Sequence, residues 1–157
     1  MERRKIEKII GRGNVASFHR LFSSRIRREE KIQHMSSDLS CRMLIALARN
    51  SGLNEIAGNL NYIYPNGRSR FRKRPMRNEV HKLARKRFDE APSANVAKFI
   101  SGINSILEYS SQGRLRERPE MESKRYKTIR HMLVHNLKHA TRLIAGTRHE
   151  GLLDANR

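Results

Sequence analysis

The chain has 157 residues, of which 37% are hydrophobic, and its 34 Lys and Arg against 15 Asp and Glu give a formal net charge of +19. This length indicates one domain, and the hydrophobic fraction is low but sufficient for a modest helical core. The single cysteine, Cys41, excludes an intramolecular disulfide and a multi-cysteine zinc site. The longest apolar run, 43–48, is far shorter than the roughly 20 residues of a membrane-spanning helix.

The charge alternates along the chain with neutral segments. Residues 1–34, 68–90 and 114–157 carry +6, +7 and +6, whereas 35–67 and 91–113 are neutral and apolar. This alternation is typical of a folded chain whose neutral parts form the core and whose basic parts form the surface, and it argues against disorder throughout. The excess charge is best explained by a polyanionic partner that neutralises it.

The first half of the chain is predicted to be helical, with breaks at turn residues. A short helix over 3–10 ends at two glycines. Asn14 then caps a second helix, and the cluster 36–38 caps a third, the most apolar of the chain, which ends at 50–52. A weaker helix follows over 53–61.

The second half is also predicted to be helical. Residues 62–64 could form a strand fragment, but the chain offers no strand partner. Helices follow over 75–88, 93–110 and 119–145, the last ending at Gly146. The predicted apolar side of the helix over 75–88 comprises Met76, Val80, Leu83 and Ala84. Its other face cannot be buried and comprises Arg77, Lys82, Arg85, Lys86 and Arg87.

These patterns predict an all-α fold, a small multi-helix bundle of about five main helices with a basic surface. The core is expected from the helices at about 38–50, 93–110 and 119–145. The predicted organisation is a flexible or short helical segment over 1–14, a single helical domain over 15–146 that includes a basic loop over 65–75, and a tail over 147–157. The part of the tail after Arg148 is expected to have little to hold it.

The strongest candidate site is the arginine cluster over 68–74, which contains Phe71 and directly precedes a basic helix. Guanidinium groups bind phosphate bidentately, and the ring of Phe71 offers a flat face to an unpaired base. This combination is typical of single-stranded or loop RNA recognition. The predicted contact residues are Arg68, Arg70, Phe71, Arg72, Lys73, Arg74, Arg77, Lys82, Arg85 and Lys86.

We therefore predict a structural, packaging or regulatory nucleic-acid-binding protein, with RNA favoured over DNA, rather than an enzyme. No cofactor and no metal are expected, and a homodimer is an open alternative. Basic residues over 15–31, 68–87 and 124–142 are expected to cover the surface as a phosphate-binding field. A DNA-reading helix-turn-helix over 43–62 is not supported, because its second helix contains Gly58 and lacks basic residues.

Three other interpretations of the basic segments stay open. The cluster over 68–74 could serve as a nuclear or nucleolar address. The segment over 8–28 has the composition of an organellar leader, although an intracellular protein, cytoplasmic or nuclear, fits the cysteine usage. The protein could also dock on an acidic protein or an anionic membrane, with Phe18, Leu21 and Phe22 as the apolar side of a membrane-bound helix.

Three histidines, His131, His135 and His139, are spaced by four residues and so lie on one face of a helix. Two histidines at this spacing can bind zinc. No Glu, Asp or Cys lies beside them in the sequence, and Lys138 and Arg142 would oppose a cation. We therefore predict that this face is polar and contributes to phosphate binding rather than to a metal site.

The run over 129–136, Ile-Arg-His-Met-Leu-Val-His-Asn, resembles the signature of HEPN-type ribonucleases, in which an Arg is followed after four to six residues by a His. The resemblance covers these eight residues. It implies a helical bundle whose site forms across a dimer, with Arg130 stabilising the scissile phosphate, His135 assisting proton transfer and His131 at the polar position. A metal-independent ribonuclease is thus the alternative function.

Overall fold

The computed structural model describes residues 3–23, 26–63, 74–111 and 123–155 of the chain. These residues form helices and include no strand, which confirms the all-α prediction. They contain eight helices, where about five main ones were predicted: α1 (Arg3–Ile10), α2 (Arg12–Ser23), α3 (Glu29–Asn50), α4 (Asn54–Ile63), α5 (Arg74–Glu90), α6 (Ser93–Ser110), α7 (Ser123–Thr141) and α8 (Gly151–Ala155).

The first interruption between helices falls at Gly11, between α1 and α2. Its φ of +88° lies in the left-handed region, which residues with a side chain rarely adopt. α2 begins immediately afterwards, so the predicted cap at Asn14 is wrong. Asn14 lies inside α2, and its side-chain Nδ2 donates to the carbonyl oxygen of Ile10 at 2.8 Å, which links the two short helices.

The third helix begins earlier than predicted. α3 passes through the cluster 36–38, so the predicted cap there is wrong. The hydroxyls of Ser36 and Ser40 are satisfied within the helix, because each donates to the carbonyl oxygen four residues earlier, at 2.7 Å. Both serines are therefore compatible with burial. The helix ends where predicted, at Ser51 and Gly52, and the φ of Gly52 is +78°.

Residues 62 and 63 belong to α4, so the strand alternative is wrong for them, and residue 64 lies outside the described part of the chain. The predicted apolar side of α5 is also partly wrong. Ala84 is buried together with Phe88, but Leu83 is 40% exposed. The reason is geometric, because Leu83 lies about 100° around the helix from Ala84 and so cannot share its buried side.

The core forms around α3, which packs against α1, α2, α4, α6 and α7. Of the described helix pairs, α3 and α7 have the most extensive contact. The buried stripe of α7 recurs at helical spacing and comprises Ile129, Leu133, Leu137 and Ala140. α1 and α2 also enter the core, through Ile6, Ile10, Val15 and Phe18.

The residues after α7 are held more firmly than the sequence suggests. His149 is 3% exposed, and its Nε2 lies 2.8 Å from the carbonyl oxygen of Ala91 while its Nδ1 lies 3.2 Å from the hydroxyl of Ser93. Because a carbonyl oxygen only accepts, Nε2 is the donor in the contact with Ala91. Arg148 donates to the carbonyl oxygens of Asp89 and Ala91. The segment is thus bound to the turn between α5 and α6.

α6 approaches α3 closely at Gly102, which is buried. A Cβ at this position would lie 2.2 Å from Cδ1 of Leu47 and 3.1 Å from its Cδ2. Leu47 is itself 2% exposed, so its side chain has little room to move. The absence of a side chain at Gly102 therefore sets the separation of the two helices.

We predict that Gly102→Ala lowers the free energy of unfolding by about 1–3 kcal/mol, because overpacking outweighs the better helix propensity of alanine. Gly58 in α4 is the matched control, since it is exposed and a Cβ there meets no atom within 4 Å. Gly58→Ala should raise the same free energy by up to about 1 kcal/mol. Urea denaturation followed by circular dichroism measures both, and stabilisation by both variants would contradict the close packing.

Candidate nucleic-acid interface

The structure describes only part of the predicted contact set. Residues 68–73, including Phe71, lie outside the described residues. Arg74 and Arg77 belong to α5, but their side chains are also outside the described part. The remaining three residues, Lys82, Arg85 and Lys86, are exposed on α5.

These three cations share one side of α5. At 100° per residue they fall within an arc of about 100°, away from the buried Ala84 and Phe88. The buried pair anchors the helix, so the three charged side chains stay in solvent. By the same projection Asp89 falls inside this arc, and Glu79 and Glu90 lie within about 40° of its edge. The backbone N–H of Arg148 donates to Asp89 Oδ1 at 2.7 Å.

Arg87, in contrast, is only partly exposed, and its side chain contacts α4. Its Nη1 donates to Oδ1 of Asn59 at 2.7 Å and to the carbonyl oxygen of Glu55 at 3.3 Å. Its Nε lies 3.5 Å from a carboxylate oxygen of Glu55. The guanidinium therefore joins α5 to α4 through its Nη1 and Nε.

α7 separates apolar and charged residues onto opposite sides. The side opposite the buried stripe carries exposed cations, Lys127 and Lys138, and it continues into Arg142 in the following turn. Between Ser123 and Thr141 the helix contains no Asp or Glu. Its exposed side therefore has no carboxylate of its own to neutralise these charges.

Two contacts bring the charged sides of α5 and α7 together. Nη2 of Arg85 donates to the carbonyl oxygen of Arg142 at 3.3 Å. The rings of His81 and His139 meet edge to face, with centroids 6.3 Å apart. We use the name α5–α7 face for the six exposed cations that lie on these two sides, Lys82, Arg85, Lys86, Lys127, Lys138 and Arg142.

The histidines of α7 continue the contact with His81 into a row. The ring centroids of His139 and His135 are 6.4 Å apart, and those of His135 and His131 are 6.5 Å apart, with the last two rings nearly parallel at 16°. We call His81, His139, His135 and His131 the histidine row. Within the described ranges no group of three or more His, Cys, Asp or Glu is arranged to hold a metal ion.

The residues that resemble the HEPN signature lie on different sides of α7. Arg130 is partly buried, and its Nη1 is buried without a hydrogen-bond partner in the described part of the chain. His135 is exposed. Five residues apart, the two positions are separated by about 140° around the helix axis. One chain therefore does not bring these two side chains to a common face.

The apolar residues that could have contacted a membrane are used in the core. Phe18, Leu21 and Phe22 are 2%, 3% and 5% exposed, and the Phe18 and Phe22 rings pack together with centroids 4.9 Å apart. α2 therefore has no free apolar side there. Among the described residues, no helix combines the length and the hydropathy that crossing a bilayer requires.

Comparisons with known protein families, curated proteins and solved structures gave no significant match. The resemblance to HEPN-type ribonucleases therefore rests on residues 129–136 alone. The candidate interface is accordingly defined by geometry and charge. The three cations of α5 were predicted from the sequence. That they adjoin the cations of α7 could not be predicted, because Arg85 and Arg142 are 57 residues apart in the chain and meet only in the folded protein.

The different roles of Arg87, which contacts α4, and the exposed Lys86 can be tested by measuring the free energy of unfolding. We predict that Arg87→Met lowers the free energy of unfolding by about 1–2 kcal/mol, because the oxygen of Asn59, which is 7% exposed, loses its donor. Lys86→Met, at the adjacent exposed position, should change it by less than about 0.5 kcal/mol. Urea denaturation compares the two, and equal effects would contradict the assignment of Arg87 to the α4 contact.

Proposed function

We propose that the protein binds nucleic acid, RNA in preference to DNA, through the α5–α7 face, as a structural, packaging or regulatory component. The main supporting observation is that six exposed Lys and Arg side chains lie on adjoining sides of α5 and of α7 with its following turn. α7 contains no Asp or Glu between Ser123 and Thr141. A cationic face of this kind is the electrostatic footprint expected for a phosphate backbone.

The face has the dimensions and chemistry of a strand-binding surface. From Lys127 to Arg142 it extends about 22 Å at 1.5 Å per helical residue, which is long enough for several consecutive phosphates of one strand. The lysines act as point charges, and Arg85 and Arg142 add planar forks that bind phosphate bidentately. Neutralising phosphates releases condensed counterions, which is the main favourable term in such binding.

The preference for RNA rests on the sequence next to this face. The cluster over 68–74 runs directly into α5, so its arginines and Phe71 are covalently continuous with Lys82, Arg85 and Lys86. Aromatic rings and guanidinium planes stack on unpaired bases, which single-stranded and loop RNA presents and duplex DNA does not. The function proposed for this cluster is base stacking beside a phosphate-binding helix.

Lysine replacement at matched sites tests the location of the face. One variant replaces its four lysines, Lys82, Lys86, Lys127 and Lys138, with Gln. The control replaces four exposed lysines elsewhere, Lys5, Lys8, Lys31 and Lys98, with Gln, and so changes the net charge equally. We predict that the first variant binds single-stranded RNA at least about tenfold more weakly, and that its salt slope is smaller by about 0.7 for each phosphate that it no longer neutralises.

Both variants and the wild type are titrated with a single-stranded RNA, an RNA hairpin and a DNA duplex over a range of salt concentrations. The control variant should stay close to the wild type. Equal weakening by both variants would exclude this face as the site. Affinity that does not change with salt would exclude phosphate binding altogether, and tighter binding to the DNA duplex would overturn the preference for RNA.

The alternative ribonuclease function has one observation in its favour, the buried Nη1 of Arg130 without a hydrogen-bond partner in the described residues. An unsatisfied guanidinium donor is costly, and a phosphate oxygen would satisfy it once the side chains that cover Nη1 move aside. In that function Arg130 stabilises the phosphate and His135 transfers the proton. Because the two lie on different sides of α7, the site must combine Arg130 of one chain with His135 of another.

The ribonuclease alternative predicts cleavage of RNA in EDTA, abolished in His135→Ala and retained in His34→Ala, which changes an exposed histidine of α3. Gel analysis of labelled RNA measures the cleavage, and mixing Arg130→Ala with His135→Ala should restore part of it if the site spans two chains. RNA that stays intact with the wild-type protein would exclude this function and leave the binding function in place.

A further inference from the structure

The histidine row crosses the α5–α7 face from one helix to the other. On α7, at 100° per residue, His131 and His135 lie beside Lys127 and Lys138, while His139 lies at the edge that meets His81. Consecutive ring centroids are 6.3–6.5 Å apart. Four imidazoles thus lie in sequence along the surface on which the lysines and arginines are exposed.

The charged groups around the row are mostly cations. α7 and the following turn contribute Lys127, Lys138 and Arg142. α5 contributes Lys82, Arg85 and Lys86, and the exposed carboxylate of Glu79 lies on the same side of this helix. α3 meets this part of α7 where Asn136 donates to the hydroxyl of Ser37 at 3.5 Å, and neither group titrates. The carboxylate of Asp89, further along α5, accepts from the backbone of Arg148.

Imidazole is the side chain that ordinarily changes charge between pH 5 and 8. When protonated, both of its ring nitrogens donate hydrogen bonds, and the group then resembles the other cations of the face. Without a ligand, neighbouring positive charges repel one another, and a phosphate backbone laid along the row removes that repulsion. Binding of the polyanion and uptake of protons therefore favour each other, as linkage requires.

We propose that the histidine row couples nucleic-acid binding by this face to protons, so that affinity rises as the pH falls from about 8 to about 6. This proposal rests on the proposed function of the α5–α7 face. It assigns that face a regulatory property, a charge that increases when the surroundings become mildly acidic.

The test measures binding of a labelled oligouridylate, whose bases do not titrate in this range, at constant ionic strength and with EDTA present to exclude a bridging metal. Wild-type protein should bind about tenfold more tightly at about pH 6 than at about pH 8. Its salt slope should be steeper at the lower pH by about 0.7 for each imidazolium that contacts a phosphate.

Variants assign the effect to the row. His131→Gln combined with His135→Gln should reduce the ratio of the two affinities to about twofold or less, because glutamine cannot become charged. His34→Gln, an exposed histidine on α3, is the matched control and should keep the full ratio. Circular dichroism at both pH values verifies that each variant is folded. A ratio retained by the double variant, or reduced equally in the control, overturns the proposal.

A second measurement on the wild-type protein needs no variant. Calorimetric titration in buffers of different ionisation enthalpy counts the protons taken up on binding near pH 6.5, and about one or more is expected. Zero uptake with salt-dependent binding would overturn the coupling and leave the proposed function in place. Absence of salt-dependent binding at both pH values would overturn both.

Discussion

The packing of α7 against α3 is the interaction on which the rest of the molecule depends. Burial of Ile129, Leu133, Leu137 and Ala140 fixes the rotation of α7 about its axis. Once that rotation is fixed, the residues on the opposite side of the helix face solvent. These residues are Lys127, His131, His135 and Lys138. The hydrophobic contact thus determines where the charge lies, although it involves none of the charged groups.

The cations of the described residues divide into two kinds. Some make hydrogen bonds inside the protein: Arg87 joins α5 to α4, and Arg148 binds the turn between α5 and α6 together with His149. Others are exposed, among them Lys82 and Lys86. This division matters because the net charge of +19 by itself says nothing about which side chains are free for a partner. Arg85 belongs to both kinds, because it is exposed and its Nη2 also donates to the carbonyl oxygen of Arg142.

Much of the local structure could be predicted from the sequence, because it depends on near neighbours in the chain. The helix Ser93–Ser110 and the end of α3 at Ser51 follow from turn residues and apolar periodicity. The start of α3 could not be predicted, because the cluster 36–38 resembles a helix cap, whereas Ser36 in fact hydrogen-bonds within the helix. Other contacts join distant segments, and the sequence gives no signal for them. These are the hydrogen bonds of Arg148 and His149 with Ala91 and the hydrogen bond between Arg85 and Arg142.

Lysine protection on binding can locate the binding surface, because the described residues carry exposed lysines both on the proposed face and away from it. The protein is treated with an amine-reactive acetylating reagent with and without single-stranded RNA, and modification of each lysine is read by mass spectrometry. We predict that RNA protects Lys82, Lys86, Lys127 and Lys138 and leaves Lys5, Lys8, Lys31 and Lys98 unchanged. Protection of the second set, or equal protection of all eight, would exclude the α5–α7 face as the specific site of nucleic-acid binding.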